Sequence, residues 1–239
     1  MAKGVELKKV PKGATIIEGF PGFGLVATIT TGFLQDHLKC EQIGSYWFED
    51  QMPTLAVHGC KLVDPIGIFY NKQYNIIMVH SIASAQGNEW RFADFLIELA
   101  KKTQAKEIIS LEGVGSTAPG ATQGFFYTEN AVKRKKFEKY GIDCLGEGII
   151  VGVTSALLLK AKSAKVPVTC LFAETASKLP DSKASAKVIE MLDKYLGLKV
   201  DPKPLLKQAE EFEEKLKEMI VKQKEVKKTV SKKDISYLG

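Results

Sequence analysis

The stretch Ala14-Thr15-Ile16-Ile17-Glu18-Gly19-Phe20-Pro21-Gly22-Phe23-Gly24-Leu25-Val26 decides the fold. Ala14 to Glu18 is an apolar, β-branched run that reads as a short buried strand. Gly19, Pro21, Gly22 and Gly24 then mark a tight structural turn, and Leu25, Ile29, Phe33 and Leu38 recur behind it at helical spacing. A strand, a tight turn and a helix in that order form the opening unit of an α/β sheet.

Working outward, the segment Ile43 to His80 has a different texture. β-rich stretches at Leu55–Val57, Gly67–Tyr70 and Tyr74–His80 are punctuated by Pro53, Pro65 and Asn71, which predicts a meander or hairpin. From Glu89 the strand and helix signals alternate. A helix over Glu89–Lys102 carries Phe92, Phe95, Leu96 and Leu99 on one face, and a strand follows over Lys106–Glu112. Next come a helix over Glu129–Tyr140 with Gly141 as its left-handed stop, a strand over Ile142–Leu145, a helix over Ile149–Lys160 and a strand over Val166–Phe172. Asp181 after Pro180 caps a last helix that runs to Gly197. This alternation predicts a mostly parallel mixed sheet with helices on both faces, a three-layer α/β/α sandwich in which the meander supplies antiparallel members or an edge.

After Asp201-Pro202 the composition changes, with heavy Lys and Glu content and no glycine before Gly239. Leu205, Ala209, Phe212, Leu216, Met219, Gln223, Val226 and Val230 form a heptad seam. The expected organisation is therefore an α/β/α domain over residues 1–200, an amphipathic C-terminal helix over 201–230 and a flexible tail over 231–239. Leu205, Phe212, Leu216 and Met219 are the candidate seam. Two readings of it stay open: a helix lying on its own domain, and a self-associating or projecting arm.

The formal charge of +6 is mostly local. Residues 222–239 hold six lysines against Glu225 and Asp234, a net +4, which leaves +2 for the first 221 residues. Only Arg91 and Arg134 offer a guanidinium fork for phosphate or guanine, so the composition speaks against a dedicated nucleic-acid binder. The longest apolar run, Gly148 to Leu159, is too short to cross a bilayer, and Met1-Ala2-Lys3-Gly4 leads into no apolar leader. A cytoplasmic protein without membrane contact is expected.

Candidate chemistry is sparse. The Gly19–Gly24 turn sits where phosphate-binding turns sit, yet its G-x-x-G-x-G spacing matches neither the dinucleotide fingerprint nor the P-loop. Its phenylalanines and proline suit packing or partner contact. Three strand-like runs end in Glu18, Glu112 and Glu174, at the edge where open α/β folds place ligands. If these carboxylates converge, they define an alternative reading, a nucleoside-processing enzyme using acid–base chemistry. His80 with Ser81 and Ser84 lacks a nucleophile elbow, and a structural His80 is expected. Cys40, Cys60, Cys144 and Cys170 are too far apart for a zinc framework; reduced thiols are expected, with Cys170 a buried small hydrophobe and no metal or cofactor.

As a set, Glu18 to Val26, the segment Gly146-Glu147-Gly148-Ile149-Ile150-Val151-Gly152, and Leu179-Pro180-Asp181-Ser182-Lys183-Ala184 with Leu196-Gly197-Leu198-Lys199-Val200-Asp201 resemble the proteasome assembly chaperone family, particularly its archaeal and bacterial branch. The resemblance covers roughly residues 10 to 215. It implies a three-layer domain akin to nucleoside phosphorylases, without an established catalytic activity. It also implies, for archaeal members, assistance in assembling the proteasome core particle through binding its α-subunits; a homo-oligomer whose C-terminal helices project the tails toward the α-ring is the arrangement expected here. In such systems a C-terminal hydrophobic-Tyr-any tripeptide docks between α-subunits. Here the chain ends Ile235-Ser236-Tyr237-Leu238-Gly239, a relaxed version in which Ile235, Tyr237, Leu238 and Gly239 are the implied partner-binding residues.

Overall fold

The computed structural model describes residues 5, 7–49, 55–115, 122–175, 180–207 and 218. Strand β1 (Thr15–Gly19) passes through a single 3-10 turn at Phe23–Leu25 into α1 (Val26–His37). The meander follows as β2 (Glu41–Tyr46), the small hairpin β3 (Ala56–His58) and β4 (Lys61–Val63), then β5 (Ile66–Asn71) and β6 (Ile76–Ser81). Helix α2 (Glu89–Thr103), β7 (Glu107–Gly115), β8 (Gly124–Thr128), α3 (Ala131–Lys139) and β9 (Asp143–Cys144) come next. The described domain closes with α4 (Gly152–Ala164), β10 (Val168–Thr175) and α5 (Ser182–Leu196).

Eight strands make one mixed sheet in the order β2-β5-β6-β1-β7-β10-β8-β9. Its central strands β6, β1, β7 and β10 are all parallel. The meander places β5 and β2 antiparallel at one side, and β8 runs antiparallel to β10 at the other. Successive side chains of a strand face opposite ways, and the sequence uses this directly. Ile17, Ile109 and Leu171 pack with Ile29, Phe137 and Leu192 of α1, α3 and α5, whereas Ile16 and Ile108 pack with Phe92, Leu96 and Leu157 of α2 and α4. Each such fully buried side chain contributes about 1.5–3 kcal/mol. These are the two cores of a three-layer α/β/α sandwich, as the alternation of signals predicts.

Asp181 accepts from the Ala184 N–H at the start of α5, and Gly197 ends that helix in the left-handed conformation. Gly141 likewise follows α3 with φ 68°. Three local readings are corrected. The helix expected at Ile149 begins at Gly152, because Val151 is extended and Gly152 takes φ 75°, which leaves Ile149 and Val151 outside the helix. Strand β8 was not predicted. Its signal, the four residues Phe125-Phe126-Tyr127-Thr128, is short and is obscured by the glycine-rich stretch before it. Strands β7 and β10 each run three residues past their expected ends.

Of the seam residues, Leu205 is buried against the α1–α5 core. Phe212, Leu216 and Met219 lie outside the described residues, as do Ile235, Tyr237, Leu238 and Gly239 of the tail. Among the described residues no helix is long and apolar enough to cross a membrane.

Candidate functional site

Parallel strands β1, β7 and β10 end side by side, and their register determines what meets there. Glu18 pairs with Ser110, and Ser110 pairs with Cys170, forming one row across three strands. Glu112, two residues beyond Ser110, projects on the same face. Helix α4 covers this row and supplies Thr154. The result is an open cleft of about 730 Å³ at the carboxyl edge, walled by the Gly19–Gly24 turn, the end of β7 and the 145–153 segment.

A hydrogen-bonded chain forms its floor. Ser110 Oγ bonds to Glu18 Oε1, Ser110 Oγ and Thr154 Oγ1 are 2.9 Å apart, and Thr154 Oγ1 donates to Glu112 Oε2 at 3.1 Å. Three contacts require three protons, and two hydroxyls carry only two. The third is held by one of the two carboxyls. Burial pushes the Glu18 carboxyl up to about 8, with the Ser110 bond opposing and the charge of Glu112 adding to the rise. Glu112 is pushed up to about 7, again by burial, against the Thr154 bond and the backbone N–H groups of Phe23 and Gly113. Glu18 therefore holds its proton at neutral pH and Glu112 is poised near its midpoint.

The glycine turn has an unusual occupant. The N–H of Phe20 is directed at Glu18, and those of Phe23 and Gly113 at Glu112. Such N–H groups make an anion nest, and here the anion is the protein's own carboxylate. The fit leaves no room for side chains. A Cβ on Gly22 would come closer than 3.0 Å to Glu112 Oε1, one on Gly19 equally close to Thr31 and the Ala27 carbonyl, and one on Gly113 to the Phe23 carbonyl. Gly24, at φ 64°, would meet Thr175 Oγ1 at 2.8 Å. Thr175 donates to Asp181 Oδ2 at 2.7 Å, and the Asp181 N–H donates to the Gly24 carbonyl at 2.9 Å. Two sequence segments 157 residues apart thus meet at one joint. Phe20 secures the turn to α2 by an edge contact with Phe92 at 4.5 Å between ring centres.

The structure brings Glu18 and Glu112 together and leaves Glu174 apart. Glu174 also lines the cleft, but its carboxylate accepts from the Gln123 N–H at 3.3 Å, at the entrance to β8. Sequence reasoning missed Ser110 and Thr154. A serine inside the apolar run Ile108-Ile109-Ser110-Leu111 was the available signal for the first; Thr154 has none, since its role depends on how α4 lies over the sheet. His80 is buried, shares a 2.9 Å hydrogen bond with Thr31 Oγ1, and is pushed down to about 4 by burial, so it is a neutral structural imidazole. Ser81 Oγ is committed to the Pro65 carbonyl at 3.0 Å. Cys170 is buried, and burial together with the neighbouring carboxylates raises its thiol pKa. Among the described residues no group of His, Cys, Asp and Glu is arranged to hold a metal ion.

Fold and site together define a class: three-layer α/β/α proteins in which the glycine turn after β1 is filled from inside. The chain belongs to the PAC2 family, whose model matches residues 16–220. It is 30% identical to Pyrococcus furiosus PbaA, an archaeal homolog of proteasome-assembly chaperone, with a TM-score of 0.80 over 93% of this chain and 99% of PbaA. P. furiosus PbaB, an archaeal proteasome activator, shares the fold at 19% identity, with a TM-score of 0.74 over 90% of this chain and 97% of PbaB. An uncharacterized protein of Methanocaldococcus jannaschii is 27% identical over 218 residues, which are 91% of this chain and 90% of that protein. The resemblance read from the sequence is therefore a family relationship.

Proposed function

We propose that this protein is a proteasome-assembly chaperone that acts as a homo-oligomer and binds α-subunits of the core particle through its C-terminal residues Ile235, Tyr237, Leu238 and Gly239. The observation that carries the reading is the 30% identity to PbaA along nearly the whole of both chains. The cleft chemistry supports it. Phosphorolysis needs a site that attracts phosphate, whereas the ionisable side chains lining this cleft, among the described residues, are the five glutamates Glu18, Glu89, Glu112, Glu147 and Glu174. Even with Glu18 protonated, the cleft offers an anionic co-substrate carboxylates and no cationic side chain among the described lining residues. The turn's anion nest is already filled by Glu112.

A Lys-rich terminal segment with spaced apolar anchors suits docking on a ring of repeated pockets, where several tails on one oligomer gain avidity. The test is a pull-down of purified α-subunits with the full chain and with a chain truncated at residue 230. Retention by the full chain and loss on truncation are expected; equal retention would remove the tail from the reading.

One observation favours the alternative, a nucleoside-processing enzyme: the convergence of Glu18 and Glu112 in an open cleft. That reading expects a thermal shift with nucleosides and turnover that disappears in Glu112→Gln. Neither effect is expected of a chaperone.

A further inference from the structure

Large exposed apolar side chains gather at one edge of this molecule. The last residue of β1, Gly19, pairs with His80, and Ser81 of β6 pairs with Ile66, where β5 begins beside Tyr46, the end of β2. The β3–β4 hairpin, inserted between β2 and β5, therefore rises from the same carboxyl edge as the cleft. Val57 and Leu62 are direct cross-strand partners on it, 66% and 70% exposed. At the cleft rim Ile149 and Val151 are 92% and 70% exposed, and Trp90 in the first turn of α2 is half exposed. Two-stranded hairpins are marginal in water, and a concentration of apolar surface marks an interface.

The hairpin and the cleft are complementary. Strands β3 and β4 and their turn carry Lys61 and no carboxylate, whereas the ionisable groups of the cleft, among the described residues, are glutamates. Within one chain the hairpin does not occupy the cleft: none of its described residues lines it, and Val57 and Leu62 stay exposed. A second copy can bring its hairpin over this cleft, a contact between two different patches that can be repeated from copy to copy.

We propose that the carboxyl edge is the self-association surface, the β3–β4 hairpin of one copy laying its Val57–Leu62 face and Lys61 against the acidic, apolar-rimmed cleft of a second copy. This rests on the homo-oligomer part of the function proposed above.

Cys60, exposed at the hairpin tip, provides the test. In the full-length chain carrying Cys144→Ser, the Ile149→Cys substitution should give a covalent dimer under mild oxidation, and adding Cys60→Ser should abolish it. Independently, Leu62→Asp should weaken association at least tenfold by light scattering across a concentration series. Its melting temperature should stay unchanged at a concentration where both proteins are dissociated, because Leu62 is exposed in the single chain. An oligomer that survives Leu62→Asp and gives no Cys60-dependent cross-link overturns the contact while leaving the homo-oligomer intact. A wild-type chain that is monomeric at every concentration overturns both.

Discussion

Strand β7 carries a glutamate near each end, Glu107 buried and Glu112 half-buried, and the two are held in opposite ways. At its start Glu107 accepts from Lys133 Nζ at 2.6 Å, Thr169 Oγ1 at 2.9 Å and Tyr195 OH at 2.9 Å, a full set that includes a countercharge. Near its end Glu112 has a hydroxyl and backbone N–H groups, and the hydrogen-bonded row links it to another carboxyl, Glu18, rather than to a cation. The amino edge is electrostatically closed. At the carboxyl edge protonation does the work that a cation does at the other end, and the strand ends open into a cleft. Burial alone does not set the chemistry, since Glu107 at the amino edge and Glu18 at the carboxyl edge are both nearly inaccessible. The partner chemistry separates the two ends.

The largest effect is expected at the closed end. Lys133→Met leaves Glu107 buried without its cation and should destabilise the fold by about 3 kcal/mol or more. Adding Glu107→Gln should recover a substantial part, because the stranded charge is then gone. Chemical denaturation of the two single variants and the double variant checks this; strictly additive losses would mean that the pair is not coupled.

At the open end the obstacle is steric. Gly22→Ala drives a methyl group into the Glu112 carboxylate, whose position is fixed by Thr154 and two N–H groups. A loss of roughly 1–3 kcal/mol is expected, or about 2–12 °C in melting temperature at 2–4 °C per kcal/mol for a chain of this size. Gly22→Ala with Glu112→Ser, which removes the obstructing carboxylate, should cost less than the sum of the two single changes.

How much of this was legible beforehand follows from the same contrast. The β1–turn–α1 unit, both cores and the α5 cap were readable because period-2 and period-3.6 patterns and cap residues are local properties of the chain. Gly19, Gly22 and Gly24 were readable as a turn, but not the reason for them, since the atoms that fill the space come from Thr31, Glu112 and Thr175. Glu18 and Glu112 were readable as strand ends. Their joining through Ser110 and Thr154 depends on β1–β7 register and on where α4 lies, which no local spacing encodes. The α4 start was misplaced because Ile149-Ile150-Val151 is apolar enough to extend a helix, and only the positive φ of Gly152 shows that it does not.

The protons at the open end predict a pH dependence. The Glu18 carboxyl sits at about 8 in the fold, above its ordinary 4.5, so the folded state holds more protons than the unfolded chain between those values. Stability is then fully present below about pH 4.5 and falls as the pH rises through 8; Glu112, at about 7, acts in the same direction. Glu18→Gln keeps a donor for Ser110 without the charge. Its melting temperature should gain on the wild type by roughly 4–8 °C between pH 6 and pH 9, on the order of 2 kcal/mol. Parallel profiles for the two proteins would place the proton elsewhere.

The smallest global effect is expected at the tip of the β3–β4 hairpin, which shares the carboxyl edge but none of its packing. Gly59 and Cys60 have φ 54° and 59°, the positive pair that a type I′ turn requires, and a Cβ on Gly59 would meet nothing within 4 Å. Gly59→Ala therefore costs only the left-handed backbone penalty, about 1–2 kcal/mol, offset by about 0.4–1 kcal/mol from the stiffer unfolded chain. That net cost falls on the hairpin rather than on the cores. Backbone amides of Ala56–Val63 should exchange faster with solvent, by about three- to tenfold for a local loss of ~1 kcal/mol, while the global melting temperature moves by less than about 3 °C. A global loss as large as that of Gly22→Ala would mean that the hairpin unfolds together with the domain. The contrast at this edge would then lie between two parts of one cooperative core, and not between a packed turn and a free arm.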